Sequence, residues 1–126
     1  MSDHLPQAWK ERLLHLLIAP PRPETLRFLD AWARCEGGMA KNNPLNTTYP
    51  MPWSTDYNTT HVKNYGKPIE GISATASTFA REKYLLGLWK DMQAGIYTAE
   101  QLLERNDAAI EHWGTNIKLF TAVLAD

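Results

Sequence analysis

The chain reads as a mainly α fold, an α+β arrangement in which a helical bundle carries a small β or loop lobe inserted between helices two and three. Three observations predict it. Apolar residues recur at helical spacing before residue 36 and again from Pro68 to the end. Proline and glycine punctuate that pattern at Pro20-Pro21-Arg22-Pro23 and at Gly37-Gly38. Between the two helical stretches, residues 42–64 are rich in Asn, Thr, Pro and Tyr, with Asp56 and Lys63 the only fully charged side chains.

The first helix is expected over 6–19, where Trp9, Leu13, Leu16 and Leu17 share one face. The proline cluster must end it, because proline removes amide donors and restricts the residue before it. A second helix follows over 24–35, with Pro23 suited to its first turn. Its buried stripe is expected to be Leu26, Leu29 and Ala33, with Phe28 and Trp32 on the flank, and Gly37-Gly38 is the stop. The polar segment after it mixes strand-favouring Thr, Tyr and Val with turn-favouring Pro and Asn, so irregular loop and a short hairpin are expected. Helix three carries Ile69, Ile72, Ala76 and Phe79; the next carries Leu85, Leu88, Trp89 and Met92 and ends at Gly95. Thr98-Ala99-Glu100-Gln101 has capping-box form for a helix with Leu102 and Leu103. Asn106 or Asp107 caps a helix over 108–113, and one over 117–124 closes the chain. Trp9, Trp32 and Trp89 lie on or beside helical stripes and are assigned to the core.

The chain of 126 residues is 44% hydrophobic and 21% charged, the balance of one folded domain with its own core, spanning 1–126. Its 13 basic and 14 acidic residues leave a net charge of −1, without the basic field that nucleic-acid binding relies on. No apolar run is long enough to cross a bilayer, and Lys10, Glu11, Arg12 and His15 interrupt the first helix too often for a signal segment. Nucleic acid and membrane are therefore not expected partners. Cys35 is the only cysteine; no activating motif surrounds it, which argues against a cysteine peptidase pairing it with His61. His4, His15, His61 and His112 form no metal-binding pattern, so neither metal nor cofactor is expected.

Glu36 is the most suggestive position. It extends the Leu29, Ala33 stripe by three residues, onto the core-facing side where the second helix stops. Partial burial and the negative end of the helix dipole both disfavour the charged carboxylate there, which is the condition for a general acid near neutral pH.

Around it, Trp32-Ala33-Arg34-Cys35-Glu36-Gly37-Gly38 followed by Asn43-Pro44-Leu45-Asn46-Thr47-Thr48 resembles the small lysozyme-like domains of bacteriophages and prophages. The likeness continues through Val62-Lys63-Asn64-Tyr65, Gly71-Ile72-Ser73-Ala74-Thr75 and His112-Trp113-Gly114-Thr115. It covers roughly 26–116 and leaves the first helix outside. More distantly the chain is similar to lytic transglycosylases, goose-type lysozymes and glucosaminidases.

The resemblance implies a lysozyme-like fold and a phage product made in the host cytoplasm. Such a product acts on peptidoglycan glycan strands at the cell wall, after lysis or among other virion proteins. Glu36 is then the general acid/base at the β-1,4 bond between N-acetylmuramic acid and N-acetylglucosamine. Asp56, the only acidic residue between Glu36 and Glu70, is the sole candidate in the lobe for a second catalytic carboxylate, although an amide often stands there in the family. Asn43, Asn46, Thr47, Thr48, Tyr57 and Tyr65 are the candidate substrate-binding residues, offering neutral hydrogen-bonding groups and apolar ring faces. Other roles stay open: Asn43 suits a turn, Tyr65 suits packing before a helix, and Trp53 and Trp113 divide between site and core. The alternative from another class is a catalytically silent lysozyme-like protein that binds the wall or builds the virion.

Overall fold

The computed structural model describes residues 5–126; His4 lies outside the described residues. Helix α1 (Gln7–Leu16) buries Trp9, Lys10, Leu13 and Leu14. Leu16, expected on the inner stripe, is instead 43% exposed, because the buried face runs through 9, 13 and 17 with 10 and 14 beside it. The helix also stops short of the prolines. Ala19 N–H donates to Leu14 O and Ile18 N–H to His15 O, the paired closure of a Schellman motif, with Ile18 at φ 56° where glycine is usual.

Helix α2 (Pro23–Glu36) opens with proline in its first turn and ends on Gly37 at φ 56°, whose N–H returns to Ala33 O. Phe28, Leu29 and Trp32 are its fully buried residues, while Leu26 and Ala33 are only partly covered. The expected flank is thus the centre. The reason is occupancy of two sides, since α2 packs against α1 on one side and against two later helices, α5 (Ala99–Arg105) and α7 (Ile117–Ala125), elsewhere.

After a loop lobe, α3 (Pro68–Arg81) buries Ile72, Ala74, Thr75, Thr78 and Phe79. Ile69 begins the helix on its outer side, 41% exposed, contrary to the expected stripe. A 3-10 turn (Lys83–Leu85) leads into α4 (Leu86–Ala94), and α6 (Asp107–Trp113) lies between α5 and α7. The capping box forms as the sequence predicts: Gln101 N–H donates to Thr98 Oγ1 at 3.0 Å and Thr98 N–H to Gln101 Oε1 at 2.9 Å. Among the described residues there are seven α-helices and one two-stranded sheet.

That sheet is small. Antiparallel β1 (Thr55–Asp56) and β2 (Lys63–Asn64) pair Thr55 with Asn64 and Asp56 with Lys63. The rest of the lobe is loop because side chains take over the work of a ladder. Asn43 Nδ2 donates to Thr47 O and Lys63 O, and its Oδ1 accepts from Thr47 N–H, all at 2.7–2.9 Å. Asn42 Nδ2 donates to Tyr65 O at 2.8 Å, and Lys41 N–H donates to Asn64 Oδ1 at 2.9 Å. Helix α3 seats directly on this loop: a Cβ at Gly71 would fall 1.7 Å from Asn42 O, so only glycine fits there.

One buried cluster links all the helices. Its aromatic centre is Trp32, with ring centroids 5.9 Å from Phe28, 6.3 Å from Phe79 and 5.1 Å from Trp113, the last two edge-on as their quadrupoles prefer. Helix α1 belongs to this core. Leu13, Leu14 and Leu17 are fully buried in it, and Trp89 Nε1 and Gln93 Nε2 on α4 both donate to Leu17 O. No helix among the described residues is long and apolar enough to cross a membrane.

Candidate functional site at the end of helix α2

Glu36 is the last residue of α2 and is half-buried. The αL residue after it turns the chain sharply, so the carboxylate stands where the helix meets the loop lobe rather than along an outer face. Both of its oxygens are engaged. Asn46 Nδ2 donates to Oε1 at 2.9 Å and also reaches Glu36 O at 3.2 Å. Thr115 Oγ1 donates to Oε2 at 2.5 Å. Neither partner carries charge.

Each partner is held by its own local structure. Asn46 takes φ 60°, a left-handed conformation that asparagine tolerates better than most residues, which aims its amide back at α2. Thr115 follows Gly114 in a second Schellman closure, with Thr115 N–H on Ile110 O at 3.1 Å and Gly114 N–H on Glu111 O at 2.9 Å. Behind Thr115, Trp32 Nε1 donates to its Oγ1 at 2.9 Å. Trp113 Nε1 donates to Leu45 O at 2.9 Å and ties α6 to the segment that carries Asn46.

Between the lobe and α3, and joined to Glu36 through Asn46, a cavity of about 120 Å³ is lined by Asn46, Thr47, Thr48, Thr78, Arg81, Glu82, Tyr84 and Trp113. Asn46 is shared by the cavity wall and the Glu36 carboxylate. Arg81 lies over the Tyr49 ring at 5.0 Å and pairs with Glu82 at 2.8 Å, while Tyr84 stacks on His112 at 4.2 Å. A larger cavity, about 390 Å³, opens between α5 and α7, where the lining carboxylate of Glu100 is already ion-paired with Arg27.

The sequence-predicted residues separate into three places. Asn46 meets Glu36, and the exposed Thr48 lines the cavity beside it. Asn43 and Tyr65, expected on a cleft wall, are buried at 1% exposure each, while Thr47 lines the cavity but is only 2% exposed. The cause is the loop's hydrogen-bond demand. Asn43 is saturated by backbone groups, and Tyr65 Oη donates to Tyr49 O at 2.5 Å, with burial pushing its phenol up to about 12. Thr78 spends its one proton on Ala74 O, so the 2.5 Å contact between the two threonines must use the Thr47 proton.

Asp56 and Tyr57 stand on the exposed hairpin. The Asp56 carboxylate is bound by the Lys63 ammonium and, at 3.1 Å, by His61 Nδ1, and these two contacts hold it below the usual carboxylate range. It makes no hydrogen bond to Glu36 or to any cavity-lining residue among the described residues. Trp53, close by in sequence, is 90% exposed, and Trp113 is half-buried. Cys35 is a free thiol that burial, with help from the Glu36 charge, pushes up to about 11, so it is a poor nucleophile.

Sequence reasoning missed the parts of this site that lie far away in the chain. Thr115 is 79 residues from Glu36 and Trp32 is a core tryptophan with a polar duty. The available signal was chemical, since a buried indole N–H nearly always finds an acceptor. Comparison of the chain with protein-family models, with curated proteins and with solved structures finds no match.

Proposed function

We propose that this protein is a lysozyme-like glycosidase that cleaves the β-1,4 bond between N-acetylmuramic acid and N-acetylglucosamine, with Glu36 as general acid and then base. The observation that carries the reading is the placement of Glu36. A single half-buried carboxyl ends α2, both oxygens are oriented by neutral donors, and a polar cavity begins at one of those donors. Protonated Glu36 gives its proton to the glycosidic oxygen as the bond from C1 to that oxygen breaks, its electron pair staying on the oxygen. The acetamido oxygen of the substrate closes on C1 in place of a protein carboxylate. Water then opens that ring while Glu36 takes its proton, or the C6 hydroxyl of the same sugar does so and leaves a 1,6-anhydro end.

Asn46 and Thr48 are the residues offered to the sugar, with Trp113 and Tyr84 as apolar surface. Asn43, Thr47 and Tyr65 hold the loop from inside. Asp56 is left out of the chemistry because its charge is committed to Lys63 and His61. The absence of a second free carboxylate beside Glu36 among the described residues supports the alternative, a catalytically silent wall-binding or virion protein.

Digestion of purified peptidoglycan separates the two readings, with the products resolved by mass spectrometry. New reducing ends or anhydro-muramyl ends are expected. Wall binding without any released fragment would replace the glycosidase with the silent binder.

A further inference from the structure

Donor counting around Glu36 reaches beyond its identity to the oxygen that carries its proton. The Trp32 indole N–H is a donor only, so at 2.9 Å Thr115 Oγ1 must accept from it. A threonine hydroxyl has one proton, and with its oxygen engaged that proton has Glu36 Oε2 as partner at 2.5 Å. Trp32 is fully buried and Thr115 is 4% exposed, so water does not offer a substitute for either bond. A protonated carboxyl oxygen accepts more weakly than a carboxylate oxygen, so a proton on Oε2 would weaken the one bond open to the buried Thr115 hydroxyl proton. Oε1 has no such constraint. Asn46 Nδ2 also reaches Glu36 O at 3.2 Å, so a proton on Oε1 leaves that amide a second acceptor.

We propose that Trp32 and Thr115 are positioning residues that hold Oε2 of Glu36 as a permanent acceptor, so that the transferable proton sits on Oε1, beside Asn46 and the cavity. The proposal rests on Glu36 being the acid of the reaction above. It assigns a reason for a core tryptophan to spend its N–H on the turn between α6 and α7, and for that turn to be pinned by a Schellman closure. The charged and titratable groups nearby are otherwise engaged. Arg34 and Asp126 face one another at 3.6 Å, Arg81 pairs with Glu82, His112 stacks on Tyr84, and the Cys35 thiol stays protonated.

The test is an NMR titration of the Glu36 carboxyl carbon together with the Thr115 hydroxyl proton and the Trp32 indole N–H, in the wild type, in Thr115→Ser, in Thr115→Val and in a His112→Gln control. The Thr115 hydroxyl is expected as a slowly exchanging resonance, with a cross-peak to the Trp32 N–H on both sides of the Glu36 midpoint. The Trp32 N–H shift should follow that midpoint in the wild type, Thr115→Ser and His112→Gln, and stop following it in Thr115→Val. Loss of the hydroxyl resonance on protonation would put the proton on Oε2, and a Trp32 shift indifferent to Glu36 would break the chain; either overturns the proposal without any variant being needed. On peptidoglycan, Thr115→Val should lower kcat about ten- to a hundredfold with KM held within about twofold, and Thr115→Ser should restore most of it. Equal kcat in Thr115→Val and the wild type overturns the positioning role alone. No cleavage by the wild type overturns the glycosidase, while the resonances still decide where the proton sits.

Discussion

Asn43 shows how one side chain can look like a binding group and act as a rivet. All its hydrogen-bonding reach goes to backbone: two acceptors, on Thr47 and Lys63, and one donor, on Thr47. Removing it leaves the buried Thr47 N–H without its acceptor, at about 1–3 kcal/mol before relaxation. It also takes a donor from Lys63 O and from Thr47 O, which keeps only Lys63 N–H at 3.2 Å. Asn43→Ala is therefore expected to lower stability by about 2–3 kcal/mol in urea unfolding, whereas Thr48→Ala, at an exposed cavity edge, should leave stability within about 0.5 kcal/mol. A lobe that tolerates Asn43→Ala without a shifted midpoint would show that the loop is held by something else. From sequence, Asn43, Asn46, Thr47 and Thr48 are alike: short, polar and adjacent. Only the fold decides that Asn46 turns back to Glu36 while Asn43 and Thr47 turn inward, because that choice depends on β2 and α3 arriving from 20 and 31 residues further along. Glu36 was legible because helix spacing and a glycine stop are local signals; Thr115 and Trp32 were not, because their link to it closes across the whole chain.

At the scale of elements, helix ends were easier to read than helix faces. Proline at the start of α2 and α3, glycine after α2, and the capping box of α5 all act within a few residues, and all stand where the sequence placed them. The faces of α1, α2 and α3 were read less well, since two neighbouring elements can cover adjoining stripes and move the centre of burial, as they do for Phe28 and Trp32. The end of α1 is the exception among the stops. Ile18, 79% exposed, occupies the left-handed position where a β-branched side chain is strained. That conformation costs a non-glycine residue about 1–2 kcal/mol, against about 0.5–1 kcal/mol of entropy that glycine would lose on folding. Ile18→Gly should therefore stabilise the protein by about 0.5–1 kcal/mol, read as a raised midpoint in thermal or urea unfolding. A lowered midpoint would mean that the isoleucine side chain contributes more than the strain removes.

For the whole molecule, α1 and α2 are joined by a buried ion pair, Lys10 Nζ to Asp30 Oδ1 at 3.3 Å, with Leu5 N–H on the same oxygen at 2.7 Å. The opposite side is clasped by Arg27, which bridges Glu24 and Glu100 and caps Leu124 O at 2.7 Å. Hydrogen bonds from Arg27 lower Glu100 from 4.5 to about 2, and Arg105 and Asn106 lower Asp91. Carboxyls depressed in the folded state release protons on folding, so their contribution is complete above the unfolded value and is lost as pH falls through the folded one. Unfolding midpoints should accordingly hold near neutrality and fall between about pH 4.5 and about pH 2. Arg27→Met should flatten much of that acid dependence, and an unchanged profile would assign it to other carboxyls.

The carboxyl group at the end of α2 is where the fold meets the proposed chemistry. The most direct measurement is glycan cleavage by the wild type and by Glu36→Gln on the same purified peptidoglycan, with circular dichroism verifying that both are folded. Glutamine keeps the shape and an acceptor for Thr115 but cannot give a proton, so release of new glycan ends is expected to fall by about a hundredfold or more. Cleavage by folded Glu36→Gln at the wild-type rate would contradict the central claim and move the chemistry to another residue.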